Sequence, residues 1–255
     1  RFLENVGGKF EQRATFAAAA TAYTLTASDF DRDGLVDDYA CLYHPPADAP
    51  VGNPLPYHDA NNGPPNVLVR QTGDWQFEDV TQRVGLDVNN RRWSYAAAWE
   101  DFDNDGDADL YVANDFGRNC LYRNDDGFFT DIAAEAGVED IASGMSVSWG
   151  DFDRDGWMDV YVGNMFSAAG GRIAFQRTFK DDASETTKQH IQRLARGNTL
   201  FRNLGNGTFQ DVTMSAGVHM GRWAWSSPFC DWNNDGNVDL LVCNGHFTGE
   251  NTKDL

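Results

Sequence analysis

The chain has 255 residues and a formal net charge of −19, with 39 acidic residues against 20 basic ones. That imbalance excludes nucleic acid as a partner, because phosphate binding needs a basic face. Hydrophobic residues make up 41%, enough for the core of one large domain or two small ones, and no run of about 18 apolar residues exists to span a membrane.

The opening residues, Arg1–Thr15 (RFLENVGGKFEQRAT), have the pattern of Leu200–Thr213 (LFRNLGNGTFQDVT) and read as two strands around a Gly turn. The chain therefore opens in mid-motif, without an initiator Met, and it stops abruptly at Leu255, as a mature fragment or the ordered part of something longer would. Ala17–Ala20 is too short for the apolar segment of a secretion signal.

A nine-residue loop then appears four times: Asp29–Asp37 (DFDRDGLVD), Asp101–Asp109 (DFDNDGDAD), Asp151–Asp159 (DFDRDGWMD) and Asp231–Asp239 (DWNNDGNVD). The starts are spaced 72, 50 and 80 residues apart. A second motif, Asn66–Arg70 (NVLVR), Asn119–Arg123 (NCLYR) and Asn198–Arg202 (NTLFR), follows the first three loops at 37, 18 and 47 residues. Removing insertions of 19 and 29 residues leaves periods of 53, 50 and 51, within the propeller range.

Each unit reads as four short strands. Ser146–Gly150 leads into a loop, and Leu110–Ala113, Val160–Gly163 and Leu240–Cys243 follow one. Leu121–Asn124 or Leu200–Asn203 comes third, and Phe128–Ile132, Thr208–Val212 or Gln76–Val80 comes fourth. A small linker ending in Ala-Gly-Val (Ala136–Val138, Ala216–Val218, with Val84–Leu86 as variant) closes the unit. The expected fold is an all-β propeller of four-stranded antiparallel blades. Its parts are a half blade at 1–20, blades at 21–86, 87–138 and 139–218, and a half blade at 219–255. Either the halves pair and close a four-bladed ring, or the chain is an arc of a larger propeller, most often seven-bladed. The cut look of both ends favours the arc.

The insertions fall at about 43–65 and 165–196. The first is Pro-rich and is expected to be stiff, exposed and irregular. The second is expected to begin with a Gly-rich turn (Ala168–Gly171). It then ends in a helix capped by Asp182, with Ile191 and Leu194 facing the body.

The loops carry the chemistry. Carboxylates this close repel each other unless a cation sits among them. Side chains at positions 1, 3, 5 and 9 converge once Gly at position 6 allows the turn, and the carbonyl of position 7 adds an oxygen. The expected ligands are Asp29, Asp31, Asp33 and Asp37 with the Leu35 carbonyl. In loop 2 they are Asp101, Asp103, Asp105 and Asp109 with that of Asp107. Loop 3 supplies Asp151, Asp153, Asp155 and Asp159 with that of Trp157. Loop 4 supplies Asp231, Asn233, Asp235 and Asp239 with that of Asn237, its neutral Asn233 making it weaker. All donors are hard oxygens, which selects Ca²⁺ over zinc or copper, and the ligand count favours it over Mg²⁺. About four calcium sites follow. Position 12 is Ala40, Val112, Val162 or Val242 rather than Glu, and the flanks are β-like, so the loops are not EF-hands. The aromatic at position 2 (Phe30, Phe102, Phe152, Trp232) is expected to pack between blades.

No catalytic triad order, phosphate loop or zinc spacing is present. His44 and His58 could pair with Asp59, although two His in a loop are more often surface residues. Trp75, Trp93, Trp99, Trp223 and Trp225 could stack on sugars, with inter-blade packing the commoner use. Cys41, Cys120, Cys230 and Cys243 lack metal spacing and read as buried thiols, with a disulfide left open.

Together, DFDxDGxxD and NxLxRNxGxGxF resemble the FG-GAP/VCBS repeats of integrin α-type propellers. Asn114–Arg123, Ala195–Asn203, Gly221–Trp225 and Asn244–Glu250 resemble the cartilage-acidic-protein family, whose members often carry an ASPIC/UnbV segment that is not found here. The resemblance implies a secreted, cell-surface or periplasmic calcium-stabilised propeller, an adhesion or recognition module for a protein or glycan. The alternatives are a calcium-dependent polysaccharide-active enzyme and a self-assembling structural protein.

Overall fold

A propeller blade needs a central strand that is apolar on both faces, because a neighbouring blade covers each side. The computed structural model, which describes residues 1–18, 20–44 and 52–245, shows how this chain meets that need. An antiparallel hairpin of β1 (Phe2–Val6) and β2 (Lys9–Ala14) comes first. A four-stranded antiparallel sheet follows, β3 (Thr21–Ser28), β4 (Asp37–His44), β5 (Val67–Gly73) and β6 (Gln76–Asp79), hydrogen-bonded in chain order. The second blade is β7 (Trp93–Glu100), β8 (Asp109–Phe116), β9 (Cys120–Asp125) and β10 (Phe128–Asp131). After the short helix α1 (Ala133–Ala136) comes the third blade. Its strands β11 (Gly144–Gly150) and β12 (Asp159–Asn164) are followed by helices α2 (Ala168–Ala174) and α3 (Glu185–Leu194), then by β13 (Thr199–Asn203) and β14 (Phe209–Asp211). Helix α4 (Thr213–Ala216) leads to the last strands, β15 (Ala224–Ser226), β16 (Phe229–Cys230), β17 (Asp239–Leu240) and β18 (Cys243–Asn244).

The innermost strands β3, β7, β11 and β15 pack in sequence against one another. The core lies between blades. Leu110 and Val112 of β8 face Tyr39, Cys41 and Leu68 of the first blade. The alternate residues Tyr111 and Ala113 face Val160, Val162 and Phe201 of the third. A third cluster joins Ala40, Leu42, Val67 and Val69 to Phe16 and Phe77, beside the opening hairpin, where Phe2 stacks on Phe77 at 3.9 Å. The Ala-Gly-Val linkers form the single-turn helices α1 and α4, ended by Gly137 (φ 77°) and Gly217 (φ 72°). Such left-handed positions suit Gly, which has no Cβ to clash.

Among the described residues β1–β2 and β15–β18 form separate sheets, so the end segments do not pair into one closing blade, the less favoured of the two arrangements. Three expectations are corrected. Leu240–Cys243 is not one strand: pairing breaks between Leu240 and Cys243 opposite Pro228, which has no N–H for the ladder. Ala168–Gly171 belongs to helix α2, capped by Ser167, rather than to a turn. Helix α3 is capped by Ser184, whose side chain accepts from the Thr187 amide at 3.1 Å. Asp182 is excluded from that role because the chain is still turning there, with the Ala183 amide on the Lys180 carbonyl.

Helix α3 docks through polar contacts more than through Ile191 and Leu194, which are only half-buried. Arg193 reaches the fully buried Asp140 at 2.9 Å. The described part of the first insertion is irregular, as expected, but it lies on the second blade instead of standing free. Ala60 is fully buried, Asp59 pairs with Arg92 and Arg118 rather than with a histidine, and the Gly63 amide donates to the Arg91 carbonyl. His246 and most of Asn244–Glu250 fall outside the described residues.

Candidate functional site

The four Asp-rich loops share one wiring. Carboxylate 1 accepts the amides of positions 5 and 6: Asp29 from Asp33 and Gly34, Asp101 from Asp105 and Gly106, Asp151 from Asp155 and Gly156, Asp231 from Asp235 and Gly236, all at 2.8–3.0 Å. Carboxylate 5 accepts the amide of position 7, so Leu35, Asp107, Trp157 and Asn237 are held by Asp33, Asp105, Asp155 and Asp235. Carboxylate 9 accepts the amide of position 2 in every loop. The turn uses two left-handed residues, Gly at position 6 and, unforeseen from sequence, the residue at position 4 (Arg32 56°, Asn104 59°, Arg154 63°, Asn234 58°).

Carboxylate 9 also ties the loop to the third strand of its blade. Asp37 accepts from the Gln71 amide, Asp109 from Asn124 and Asp159 from Asn203, each at 2.8 Å. All three carboxylates are fully buried. Burial, with their acidic neighbours, raises Asp37 and Asp159 to about 6 and Asp109 to about 8. A buried carboxylate this strongly disfavoured as an anion is one that an ion at the site would relieve.

Ligand oxygens of Asp29, Asp31 and Asp33 lie within 4.8 Å of one another, as do those of Asp101, Asp103 and Asp109, and those of Asp151, Asp153 and Asp159. Buried Oδ1 atoms of Asp31 and Asp103 have no hydrogen-bond partner. Converging hard oxygens with orphaned buried lone pairs fit calcium. Loop 4 has the same wiring but one carboxylate fewer, Asn233 standing at position 3, where its amide donates to Asp235 Oδ2 at 3.0 Å.

Two asparagines of the second motif, NxLxRNxGxGxF, to which the motif reading gave no role, bind loops across blades. Asn124, just after the arginine of the second blade, donates from Nδ2 to the Phe30 carbonyl at 2.8 Å and to the Ala108 carbonyl at 3.1 Å. Asn203 does the same to Phe102 and Met158 at 2.8 and 3.1 Å. The only sequence signal was the repeated Arg-Asn pair. Phe30 and Phe102 pack between blades as expected, against Phe129 and Phe209 at 5.7 Å. Phe152 is half-buried, and Trp232 is exposed at 58%.

Residues 101–162 and 191–242 match the FG-GAP-like repeat family. The matched FG-GAP stretches hold loops 2, 3 and 4; loop 1 lies outside them yet is wired identically. No curated protein matches the chain. No helix among the described residues is long and apolar enough to cross a membrane.

The opposite ends of the strands carry a different surface. Each innermost strand has a register shift at the same place, so Tyr23, Tyr95, Met145 and Trp225 are the extra residues of four equivalent β-bulges. Bulges re-aim a side chain. Tyr23 and Tyr95 meet at 5.1 Å, and Tyr95 and Trp225 at 6.1 Å. Shifts in the second strands expel Tyr43 and Asp115 likewise, and the Tyr43 hydroxyl donates to Asp115 at 2.5 Å. Trp93 lies beside Tyr43 at 5.6 Å, and Trp223 beside Trp225 at 6.2 Å. Asp115 is only 5% exposed, and burial raises it to about 6. Trp99, by contrast, packs on Tyr39 and Phe129 between blades. All four cysteines are free thiols, Cys41 and Cys120 buried, Cys230 and Cys243 exposed.

Proposed function

We propose that this chain is a calcium-braced recognition module working outside the cytoplasm, secreted or at the cell surface, with no catalytic role, and that it holds a neutral glycan on its aromatic face. The observation carrying this reading is the repeated bulge. It turns Tyr23, Tyr95 and Trp225 toward one another at the strand ends, with Tyr23 42% and Trp225 38% exposed. Flat rings carrying phenol hydroxyls suit the apolar face and the hydroxyl rim of a pyranose. The −19 charge opposes an acidic glycan.

Calcium supplies charge compensation when bound at the opposite ends, and the chain's own residues do the rest. Asp37, Asp109 and Asp159 clamp their loops to the third strands, while Asn124 and Asn203 bolt each loop to the neighbouring blade. Rigid blades then hold the aromatic residues about 20 Å away along the strands. The closer likeness to the cartilage-acidic-protein family, carried by Asn114–Arg123 and Gly221–Trp225, belongs to the same reading.

The test is an array of neutral oligosaccharides probed with the calcium-loaded protein and with Tyr23→Ala and Trp225→Ala. Both substitutions should lose at least tenfold in binding while leaving calcium uptake intact. Absence of any oligosaccharide binding by the parent protein overturns the glycan assignment. Calcium-dependent growth in sedimentation coefficient would instead favour self-assembly.

A further inference from the structure

Each of the first three loops lies beside an arginine of its own third strand, at the last position of the Asn-x-Leu-x-Arg motif or its variant. Arg70 straddles loop 1, with Nε 2.5 Å from Asp31 Oδ2 and a terminal nitrogen 2.5 Å from Asp33 Oδ2. Arg202 straddles loop 3 in the same way, pairing with Asp153 and, at 2.8 Å, with Asp155. One guanidinium thus compensates carboxylates 3 and 5 in both loops. Arg123 does not: both of its bonds go to Asp125 Oδ2, at 3.3 and 2.9 Å. The cause is local. Two residues past the arginine stand Thr72 and Leu204 in the first and third blades, but Asp125 in the second.

Loop 2 therefore keeps four ligand carboxylates with no arginine hydrogen-bonded to them, Arg123 acting on Asp103 and Asp109 only through space, with its charge shared by Asp125. A second guanidinium, Arg32 from loop 1, is held by Asp107 and Asp126 at 2.7 Å each, neither of them an expected side-chain ligand. The backbone wiring of loops 1, 2 and 3 is the same, and loops 2 and 3 also gather the same three carboxylate positions, so charge is what separates loop 2 from loop 3. Net ligand charge is a main determinant of calcium affinity among sites of one geometry. A unit charge about 6 Å from a divalent ion opposes it by about tenfold in affinity even at the dielectric constant of water.

We propose that the third-strand arginines rank the calcium sites: Arg70 and Arg202 weaken loops 1 and 3, while Asp125 draws Arg123 away from loop 2, which fills first. This rests on the loops binding calcium and goes beyond it. Asp125 is thus an affinity-setting residue that touches no ion, and the chain has one high-affinity site and weaker ones that respond to calcium at higher concentration.

The experiment is calorimetric titration of calcium into the chelator-stripped full chain, with circular dichroism to verify folding of each variant. Asp105, Asp33 and Asp155 are exposed position-5 residues. Asp105→Asn should abolish the tightest phase; Asp33→Asn and Asp155→Asn should leave it. Arg70→Gln and Arg202→Gln should each tighten one weak phase about tenfold. Asp125→Asn should weaken the tightest phase about tenfold, and adding Arg123→Gln should restore it. Survival of the tightest phase in Asp105→Asn overturns the ranking. So does weaker binding in Arg70→Gln, which would make the arginine an orienting partner instead. Failure of Arg123→Gln to rescue would reduce Asp125 to a lost charge and also overturn it. No heat or binding in any variant overturns the calcium reading itself.

Discussion

Asp115 shows how one side chain reports on its surroundings. It is nearly fully buried, takes the Tyr43 hydroxyl, and titrates at about 6 because burial disfavours its anion. The unfolded chain releases the same proton near the ordinary Asp value of about 4. Between these values the folded state binds more protons than the unfolded one, so stability falls as pH rises from about 4 through about 6. Asp115→Asn keeps an acceptor for Tyr43 and removes the titration. Thermal unfolding at steps from pH 4 to 7 should show that decline in the parent and a flatter profile in Asp115→Asn, with the higher melting temperature in the variant at pH 7. Equal slopes in both would mean that Asp115 is hydrated in solution. Nothing in the sequence marked this residue, since its burial is produced by a bulge in β8.

The blades are coupled through single polar bonds at well-defined points. Asn203→Ala leaves the buried Phe102 carbonyl and the part-buried Met158 carbonyl without their donor, which should cost roughly 1–3 kcal/mol. Because the Phe102 carbonyl belongs to loop 2, calcium affinity of that loop should fall as well; denaturant titration and calorimetry on the same variant read both. Unchanged affinity alongside lost stability would confine Asn203 to scaffolding. The docked insertion has its own weak point at Gly117. Its φ is 102°, and a Cβ there would overlap the Ala60 carbonyl oxygen. Gly117→Ala should therefore cost roughly 1–3 kcal/mol and expose residues 52–65 to limited proteolysis, which the parent should resist. The Asp-rich turns were legible in the sequence because the bonds internal to each turn join residues at most seven apart. The cross-blade asparagines, the Arg92–Asp59–Arg118 bridge and the Ser184 cap were not, because the first two depend on neighbours distant in the chain and the third on where a turn happens to end.

For the molecule as a whole, electrostatics and packing pull in opposite directions. The acidic excess is concentrated in loops at one end of the strands, where repulsion opposes the packing of neighbouring blades. Calcium at about 100 times its dissociation constant would add roughly 2.7 kcal/mol per site. Chelation with EDTA should lower the melting temperature, and about 0.5 M NaCl should recover part of that loss by screening the bare carboxylates. A melting temperature indifferent to EDTA, with metal shown to be absent, would remove calcium from the account of stability.

The repeat length, the four-stranded blade and the convergence of each loop's carboxylates follow from the sequence alone, since they rest on short-range turn chemistry and strand alternation. Tertiary structure decided three other things: which arginine sits on which loop, how the first insertion lies, and that four bulges turn aromatic residues and Met145 to one face. These depend on contacts between blades and on competition among carboxylates for one guanidinium. No local pattern encodes that competition until the strands are side by side.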